Sequence, residues 1–217
     1  MSAALIPGDE GRHPAAAVEE WLFTCWAADG SAGIVSGYRI VSASRGWYWA
    51  ALARAGRPLL HVAEWEVPLR SNPLLVKAPG LWAEHVCDDP FRQWTVSNET
   101  FASALDDPDE GLGRAYGTPT AIAFDLEWYA SGEPEPVTSG YEQAGEVHGV
   151  VEFGAEPALH LDGVPAWRAH RWGLGLAPAR PPSATAHLGL RSAFAFPDGT
   201  AADWVLTADG WRTRRRR

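Results

Sequence analysis

Three residues near the end of the chain could do chemistry together: Arg168, His170 and Trp172 in the stretch WRAHRWG. On a β-strand, residues at every second position project to one side. Histidine titrates near neutrality and can take or give a proton, and an indole offers a flat apolar surface to an unsaturated ligand. We therefore expect His170 to be catalytic, Trp172 to stack on the ligand and Arg168 to orient its polar end. Cross-strand packing is the alternative.

Other residues are weaker candidates for lining the same site. They are predicted ligand-binding residues because they combine aromatic, titratable or acidic side chains with strand-like surroundings: Trp82, Glu84, His85, Asp125, Glu127, Trp128 and His148. Any one of the histidines could equally be a hydrogen-bonded residue of a packed barrel. The carboxylates considered as partners of His170 are Glu84, Asp125, Glu127 and Glu152.

Several established catalytic and cofactor motifs do not occur in the sequence. There is no glycine-rich loop ending in Lys-Ser/Thr, no Cys-x-x-Cys or His-Glu-x-x-His spacing, and no Gly-x-Ser-x-Gly elbow. The sequence therefore predicts no cofactor and no metal. The two cysteines, Cys25 and Cys87, lie in apolar runs and are expected to be reduced.

Composition restricts the partners. The chain has 217 residues, 46% of them hydrophobic, and a net charge of −9, although five arginines lie in the final stretch WRTRRRR. An acidic body argues against nucleic-acid binding. The basic tail is expected to be solvated, with contact to phosphate or an acidic membrane as the alternative. No run of about 18 apolar residues and no leader-like start occur, so we predict a soluble, cytoplasmic protein without a membrane span.

Short aromatic and β-branched runs separated by Gly, Pro and Asp-Gly signals predict the secondary structure. Strands are expected near WLFTCWA, GIVSGYRIV, GWYWAALA, PLLHVAEWEV, LWAEHVC, FRQWTVSN, AIAFDLEWYA, GEVHGVVEF, VPAWRAHRW and LRSAFAFP. This spacing favours an all-β barrel or sandwich. Asn98 could begin a short helix, or the strand before it could continue. The polar face that carries Asp125 and Glu127 points either to solvent or into a wet cavity.

The same series of segments resembles a known superfamily. GWYWAALARAGRPLLHVAEWEVPL, GLWAEHVCDDPFRQWTV, FDLEWYASGEP and the closing RAHRWG are similar to uncharacterised actinobacterial members of the superfamily that contains carotenoid hydratase (hydroxyneurosporene synthase) and certain Diels–Alderases. The resemblance implies a lipocalin-like, calycin antiparallel β-barrel. It also implies that His170 and Trp172 line a site where an isoprenoid double bond is protonated, with a carboxylate nearby. The aspartate that usually precedes the histidine is Ala169 here.

The resemblance also sets the expected domains and function. We expect an N-terminal arm at 1–20, one lipocalin-like barrel at 21–211 with extra C-terminal strands in place of the family's second barrel, and a disordered basic tail at 212–217. A shortened second barrel would expose apolar surface near residues 167–176, which favours a homodimer. The expected function is binding of a small hydrophobic, isoprenoid- or polyketide-like molecule in a Trp-lined cavity, with cofactor-free hydration, isomerisation or cyclisation. A non-catalytic carrier and a protein-interaction module are the alternatives.

Overall fold

A computed structural model describes residues 4–173 and 187–214 and is built almost wholly of strands. The described elements are β1 (Glu19–Trp26), β2 (Ala32–Ile40), β3 (Arg45–Arg54), β4 (Leu59–Pro68), β5 (Leu75–Ala78), β6 (Leu81–Asp89), β7 (Gln93–Leu105), β8 (Thr118–Ala130), β9 (Glu135–Val137), β10 (Gly140–Phe153), β11 (Leu159–Trp172), β12 (His187–Ala195), β13 (Ala201–Thr207) and β14 (Gly210–Thr213), with short 3₁₀ helices at Pro7–Glu10 and Pro108–Leu112. Each of the ten predicted strands is present, and the predicted all-β antiparallel barrel is confirmed.

The alternative helix at Asn98 is wrong, because β7 runs without interruption through this residue. Asn98 is buried and donates a hydrogen bond from Nδ2 to the Tyr48 hydroxyl at 2.8 Å. Cross-strand pairing with β6 and β8 on both sides of β7 therefore decides the local conformation rather than the capping potential of asparagine. The short helix lies further along the chain, at Pro108–Leu112.

Antiparallel pairing closes the barrel. Strands β4, β3, β2, β1, β11, β10, β8 and β7 follow one another by hydrogen bonding, and the end of β7 pairs with the start of β4. The β5–β6 hairpin adds to the first half of β7, where β4 has diverged from it. Side chains therefore alternate between an enclosed inner face and an outer face around the whole ring.

The inner face is packed rather than open, contrary to the expected Trp-lined cavity. Trp21, Trp94 and Trp128 point inward and belong to one cluster of buried residues that fills the barrel. The space left beside Trp128 at the centre is about 10 Å³, roughly what one water molecule needs. Large rings projecting inward from opposing strands use up the volume that the expected ligand would occupy.

The C-terminal strands form a separate sheet, β12–β13–β14, outside the barrel. They are the predicted extra C-terminal strands, and they lie beside the ring without extending it. Asp-Gly turns join them as predicted, with Gly199 and Gly210 at positive φ angles of 82° and 99°. Phe194 and Trp204 of this sheet, and Phe196 in the turn after β12, pack against the outer faces of β1 to β3.

This second apolar cluster changes the argument for a dimer. The outer face of β11 at Trp167 is buried in the same cluster, so the chain's own sheet covers part of the surface that was expected to be exposed. Leu176 lies outside the described residues, and the homodimer stays a prediction.

Of the predicted basic tail, Arg212 and Thr213 belong to β14, and residues 215–217 lie outside the described part. No helix among the described residues is long and apolar enough to cross a membrane.

The N-terminal segment closes one end of the barrel. Among residues 4–18 only Glu10 is buried, and its side chain enters the barrel end where β11 finishes. Strand β1 begins at Glu19, two residues before the expected start of the domain. The segment expected to be an arm therefore contributes side chains to the inner face.

Candidate functional site

Strand β11 directs Arg168 and His170 into the closed end of the barrel. Its register with β1 sets Phe23 opposite Arg168 and Trp21 opposite His170. Both candidate side chains are buried, with exposures of 1% for Arg168 and 0% for His170. The Trp21 ring stacks on His170 with centroids 4.4 Å apart, and Trp172, which is half-buried, lies 5.0 Å from the same imidazole. The predicted shared face of Arg168, His170 and Trp172 is therefore present.

Glu19 is the carboxylate partner of His170. Its Oε1 lies 2.9 Å from His170 Nε2 and 2.7 Å from His13 Nδ1, so one oxygen serves two imidazoles. The backbone N–H of His13 donates to Oε2 of the same carboxylate at 2.9 Å. The His13 ring stacks on Trp172 with centroids 3.9 Å apart and planes 12° from parallel.

The protonation states follow from these contacts. Burial alone would raise the pKa of Glu19, but hydrogen bonds from His170 and His13 outweigh it and lower the pKa overall. The ionised carboxylate can only accept, so His170 Nε2 carries the proton. Burial also lowers the pKa of His170, which favours the neutral ring. The other ring nitrogen, Nδ1, is buried and has no hydrogen-bond partner in the part of the chain that the structure describes, so its lone pair is unused there.

His13, Glu19 and His170 are also the residues that could hold a metal ion, because one ligand atom of each lies within 4.8 Å of the others. Metal bound to His170 Nε2 would force the proton onto Nδ1. A metal-bound histidine normally donates that second N–H to an acceptor, whereas Nδ1 has none among the described residues. The donor set therefore fits a hydrogen-bonded triad better than a metal centre.

A second polar cluster lies beside the first, around Arg168. Its Nη2 donates to Glu10 Oε1 at 2.7 Å and its Nη1 to Oε2 at 2.9 Å, which is a two-pronged ion pair. The Tyr141 hydroxyl also donates to Oε2, and the Phe91 backbone N–H donates to Oε1 at 2.6 Å. The guanidinium carbon lies 4.8 Å from the centroid of the Trp128 ring. The carboxylate of Glu10 thus receives four hydrogen bonds inside the protein.

These contacts fix the charges of the second cluster. Burial alone would raise the pKa of Glu10, but the Arg168 guanidinium and the other donors lower it overall. Burial alone would lower the pKa of Arg168, and Glu10 with Tyr141 raises it instead. Burial raises the pKa of Tyr141 well above its usual range, so its hydroxyl remains a donor. Arg168 and Glu10 therefore form a neutral, buried ion pair at physiological pH.

Two further residues hold the guanidinium in place. Gln143 accepts from Arg168 Nη2 at 2.6 Å, and its own amide donates to the carbonyls of Phe91 and Gly132, which fixes which end of the amide faces the arginine. Phe91 has a φ of 59°, a strained conformation for a bulky residue. This conformation allows its N–H to face Glu10 while its carbonyl accepts from Gln143.

The remaining candidate residues divide between the two faces of the barrel. Trp128 faces inward next to Arg168. His85 also faces inward but lies away from His170, with Nε2 3.2 Å from the Ser36 hydroxyl and a pKa lowered to about 3 by burial. The carboxylates and His148 lie on the outer face, where Ser97 donates to Asp125, Tyr129 donates to Glu127, Asn72 donates to Glu84 and His148 contacts Asp162.

The outer position of these residues shows that the polar face with Asp125 and Glu127 points to solvent and not into a wet cavity. The strands carrying Asp125, Glu127 and Glu152 alternate between buried apolar and exposed acidic positions, so the acidic face is solvated. None of Glu84, Asp125, Glu127 or Glu152 is a partner of His170 in the described structure. Trp82 lies on the outer face too, in a surface groove of about 590 Å³ that Phe101 also lines.

Sequence reasoning missed Glu10, His13 and Glu19, which complete the site. They lie in the stretch that was expected to be an arm, where Pro and Gly are frequent. The sequence EEW carries a usable signal, because alternation on a strand sets Glu19 on the same face as the buried Trp21. The register of β1 with β11 then sets Glu19 opposite Trp172.

Comparison with known proteins gives one match. A family model described as "Domain of unknown function (DUF7064)" matches residues 6–203. The chain belongs to this family. The matched span includes Glu10, Glu19, Arg168 and His170, so both polar clusters lie within the family's domain. No curated protein and no solved structure matches the chain.

Proposed function

We propose that this DUF7064 protein is a lipocalin-like barrel protein that binds a small hydrophobic molecule at the end of the barrel closed by the N-terminal segment, and that His170 transfers a proton to or from that molecule. The observation that carries the proposal is the asymmetry of His170: Nε2 is held by Glu19 at 2.9 Å, and Nδ1 is buried with no partner among residues 4–173 and 187–214. A carboxylate that fixes the tautomer and leaves the opposite nitrogen free is the arrangement that general acid–base catalysis uses.

The chemistry needs no cofactor. His170 Nδ1 takes a proton from a carbon of the ligand, which leaves an imidazolium that the Glu19 carboxylate stabilises. The same proton, or one exchanged with solvent, is returned to another carbon, and the double bond moves with it. Hydration uses the reverse order: His170, protonated from solvent, gives a proton to the double bond, water adds to the resulting carbocation, and the ring takes the proton that the added water loses. In cyclisation a second double bond of the molecule attacks the carbocation instead, and the ring takes a proton from a neighbouring carbon. The resemblance to the carotenoid hydratase superfamily supports this reaction class and an isoprenoid- or polyketide-like ligand.

Access to His170 requires the N-terminal segment to move. His170 has no exposed surface, and His13 and Trp172 cover it. Residues 4–13 are joined to the barrel through the side chains of Glu10 and His13, through the His13 backbone N–H, and through the Glu10 carbonyl, which accepts from the Trp21 indole at 3.4 Å. Displacing this one segment would uncover Arg168, His170 and the face of Trp172 together.

Solvent deuterium tests the proposal without knowledge of the substrate. The purified protein is incubated in D₂O with a hydrophobic small-molecule extract of the source cells, and mass spectrometry identifies compounds that gain deuterium. We expect at least one compound to be labelled by the wild-type protein and not by His170→Gln, with Glu19→Gln reducing the rate. His148→Gln, a change of an outer-face histidine, is the matched control and should label like wild type.

The outcome separates the alternatives. Labelling that persists in His170→Gln would refute the assigned role of His170. Retention of a hydrophobic compound by the purified protein with no labelling of any compound would make it a carrier rather than an enzyme. Absence of both labelling and a retained compound would refute the proposal and favour the protein-interaction module.

A further inference from the structure

The N-terminal segment offers the barrel end two chemical groups, a carboxylate and a flat ring. Glu10 supplies the carboxylate that the Arg168 guanidinium grips with two parallel hydrogen bonds. Three residues later, His13 supplies the ring that stacks on Trp172 at 3.9 Å. Together they occupy the surfaces that a ligand of the barrel end would use.

The receptor for the carboxylate is built by the barrel and not by the segment. Arg168 and Tyr141 come from β11 and β10, and the strained turn at Phe91 contributes a backbone N–H. Gln143 accepts from Nε and Nη2 of the guanidinium, and Nη2 is shared with Glu10. Every donor that Glu10 uses would remain in place if its carboxylate left, and Arg168 would then be a buried, unpaired cation, which is costly. The barrel therefore requires an anionic group at this position.

Beyond the side chains of Glu10 and His13, two backbone groups join the segment to the barrel: the Glu10 carbonyl accepts from the Trp21 indole at 3.4 Å, and the His13 N–H donates to Glu19 at 2.9 Å. Glu10 is the only buried residue among residues 4–13, Leu5 is half-buried, and Ile6 is 60% exposed. A segment held mainly through one carboxylate and one stacked ring can be replaced by a molecule that carries both groups, because the two compete for the same partners.

We propose that the ligand of this protein is an unsaturated carboxylic acid whose carboxylate replaces that of Glu10 on Arg168 and Tyr141 and whose flat portion replaces His13 against Trp172. Arg168 and His170 are two positions apart on one strand face, about 7 Å along the strand. The carboxylate of such a ligand therefore anchors it with carbons a few bonds away next to His170. The inference rests on the proposed function in that both use this end of the barrel.

Binding of trans-cinnamate, compared with cinnamyl alcohol, tests the inference. The two probes share a flat conjugated ring and differ in the carboxylate. Calorimetry should show that wild-type protein binds cinnamate and that Glu10→Ala binds it at least about tenfold more tightly, because the internal competitor is gone. Cinnamyl alcohol should gain nothing from Glu10→Ala. Arg168→Met in the Glu10→Ala background should remove the preference for the acid.

Hydrogen exchange on the wild-type protein tests the displacement itself and does not depend on any variant folding. Saturating cinnamate should speed exchange of the amides of residues 4–13, above all the His13 amide that donates to Glu19. Cinnamyl alcohol at the same concentration should not. Unchanged exchange of this segment during cinnamate binding would overturn the inference, as would equal gains for acid and alcohol in Glu10→Ala.

Two controls keep the sites and the proposals apart. Phe101→Ala removes an exposed ring from the outer groove that Trp82 lines, so loss of cinnamate binding in this variant would overturn the inference by assigning the probe to that groove. His170→Gln should still bind cinnamate and displace the segment. A failure of deuterium labelling would therefore count against the proposed catalysis and not against the cinnamate-binding inference. A failure of cinnamate binding would count against that inference and not against the labelling result.

Discussion

Removing one charge of the buried pair formed by Arg168 and Glu10 should destabilise the protein strongly, and removing both should not add to the loss. Both side chains are at most 3% exposed, and the two parallel hydrogen bonds between the guanidinium and the carboxylate are 2.7 and 2.9 Å long. Deleting one partner of a buried ion pair leaves an uncompensated charge and typically costs about 3–5 kcal/mol. We expect this loss for Glu10→Gln and for Arg168→Met.

The double variant distinguishes a coupled pair from two independent contributions. With both charges absent there is no orphaned ion, so the double variant should lose no more than about 3–5 kcal/mol, well below the sum of the two single losses. Urea unfolding at pH 7, followed by tryptophan fluorescence, measures all three, with a common denaturant slope as the check for two-state behaviour. Additive losses, or single losses as small as those of the control below, would refute the reasoning.

The matched control is the ion pair of Arg45 with Glu66 on the surface. Its Nη1–Oε1 distance of 3.1 Å is similar, but both side chains are more than half exposed. Exposed pairs contribute between about 0 and 1 kcal/mol, so Glu66→Gln should change the free energy of unfolding by about 0.5 kcal/mol or less.

Three further predictions follow from other parts of the structure. Burial lowers the pKa of His85 to about 3 in the folded protein, whereas the pKa in the unfolded chain is about 6.5. The stability contributed by the neutral ring is therefore fully present above pH 6.5 and should fall by about 1.4 kcal/mol per pH unit below it. His85→Gln should remove this share of the slope when urea unfolding is measured at several pH values. Gly37→Ala should lower the melting temperature because a Cβ would lie 2.2 Å from the Trp49 ring, whereas Gly132→Ala, with no atom within 4 Å, should not. Trp172→Ala should weaken cinnamate binding with little change in the melting temperature, in contrast to an equivalent loss of a core tryptophan.

Much of the fold is predictable from sequence because the periodicity of a strand is local. Phe124, Leu126 and Trp128 alternate with Asp125, Glu127 and Tyr129, and the barrel buries the first three against its core. The shared face of Arg168, His170 and Trp172 follows from the same rule. The position of the C-terminal sheet outside the ring does not, since it depends on the apolar outer faces of β1 to β3 and not on its own strand pattern.

The partners of His170 could not be predicted because they depend on long-range register. Glu19 and His170 are 151 positions apart and Glu10 and Arg168 are 158 apart. Asp125 and Glu127 are equally acidic in sequence, but alternation points them to solvent. Only the pairing of β1 with β11, together with the return of the N-terminal segment across the barrel end, distinguishes the carboxylates that meet the histidine from those that do not.

The tautomer of His170 tests the central claim most directly. Nitrogen NMR of protein with ¹⁵N-labelled histidine, assigned by comparison with His170→Gln, reports the protonation of each ring nitrogen at pH 7. The account predicts a protonated Nε2, bonded to Glu19, and an unprotonated Nδ1. It also predicts that Glu19→Gln disturbs this pattern while Glu127→Gln, on the outer face, does not. A proton on Nδ1 with Nε2 unprotonated, or a doubly protonated ring, would contradict the account.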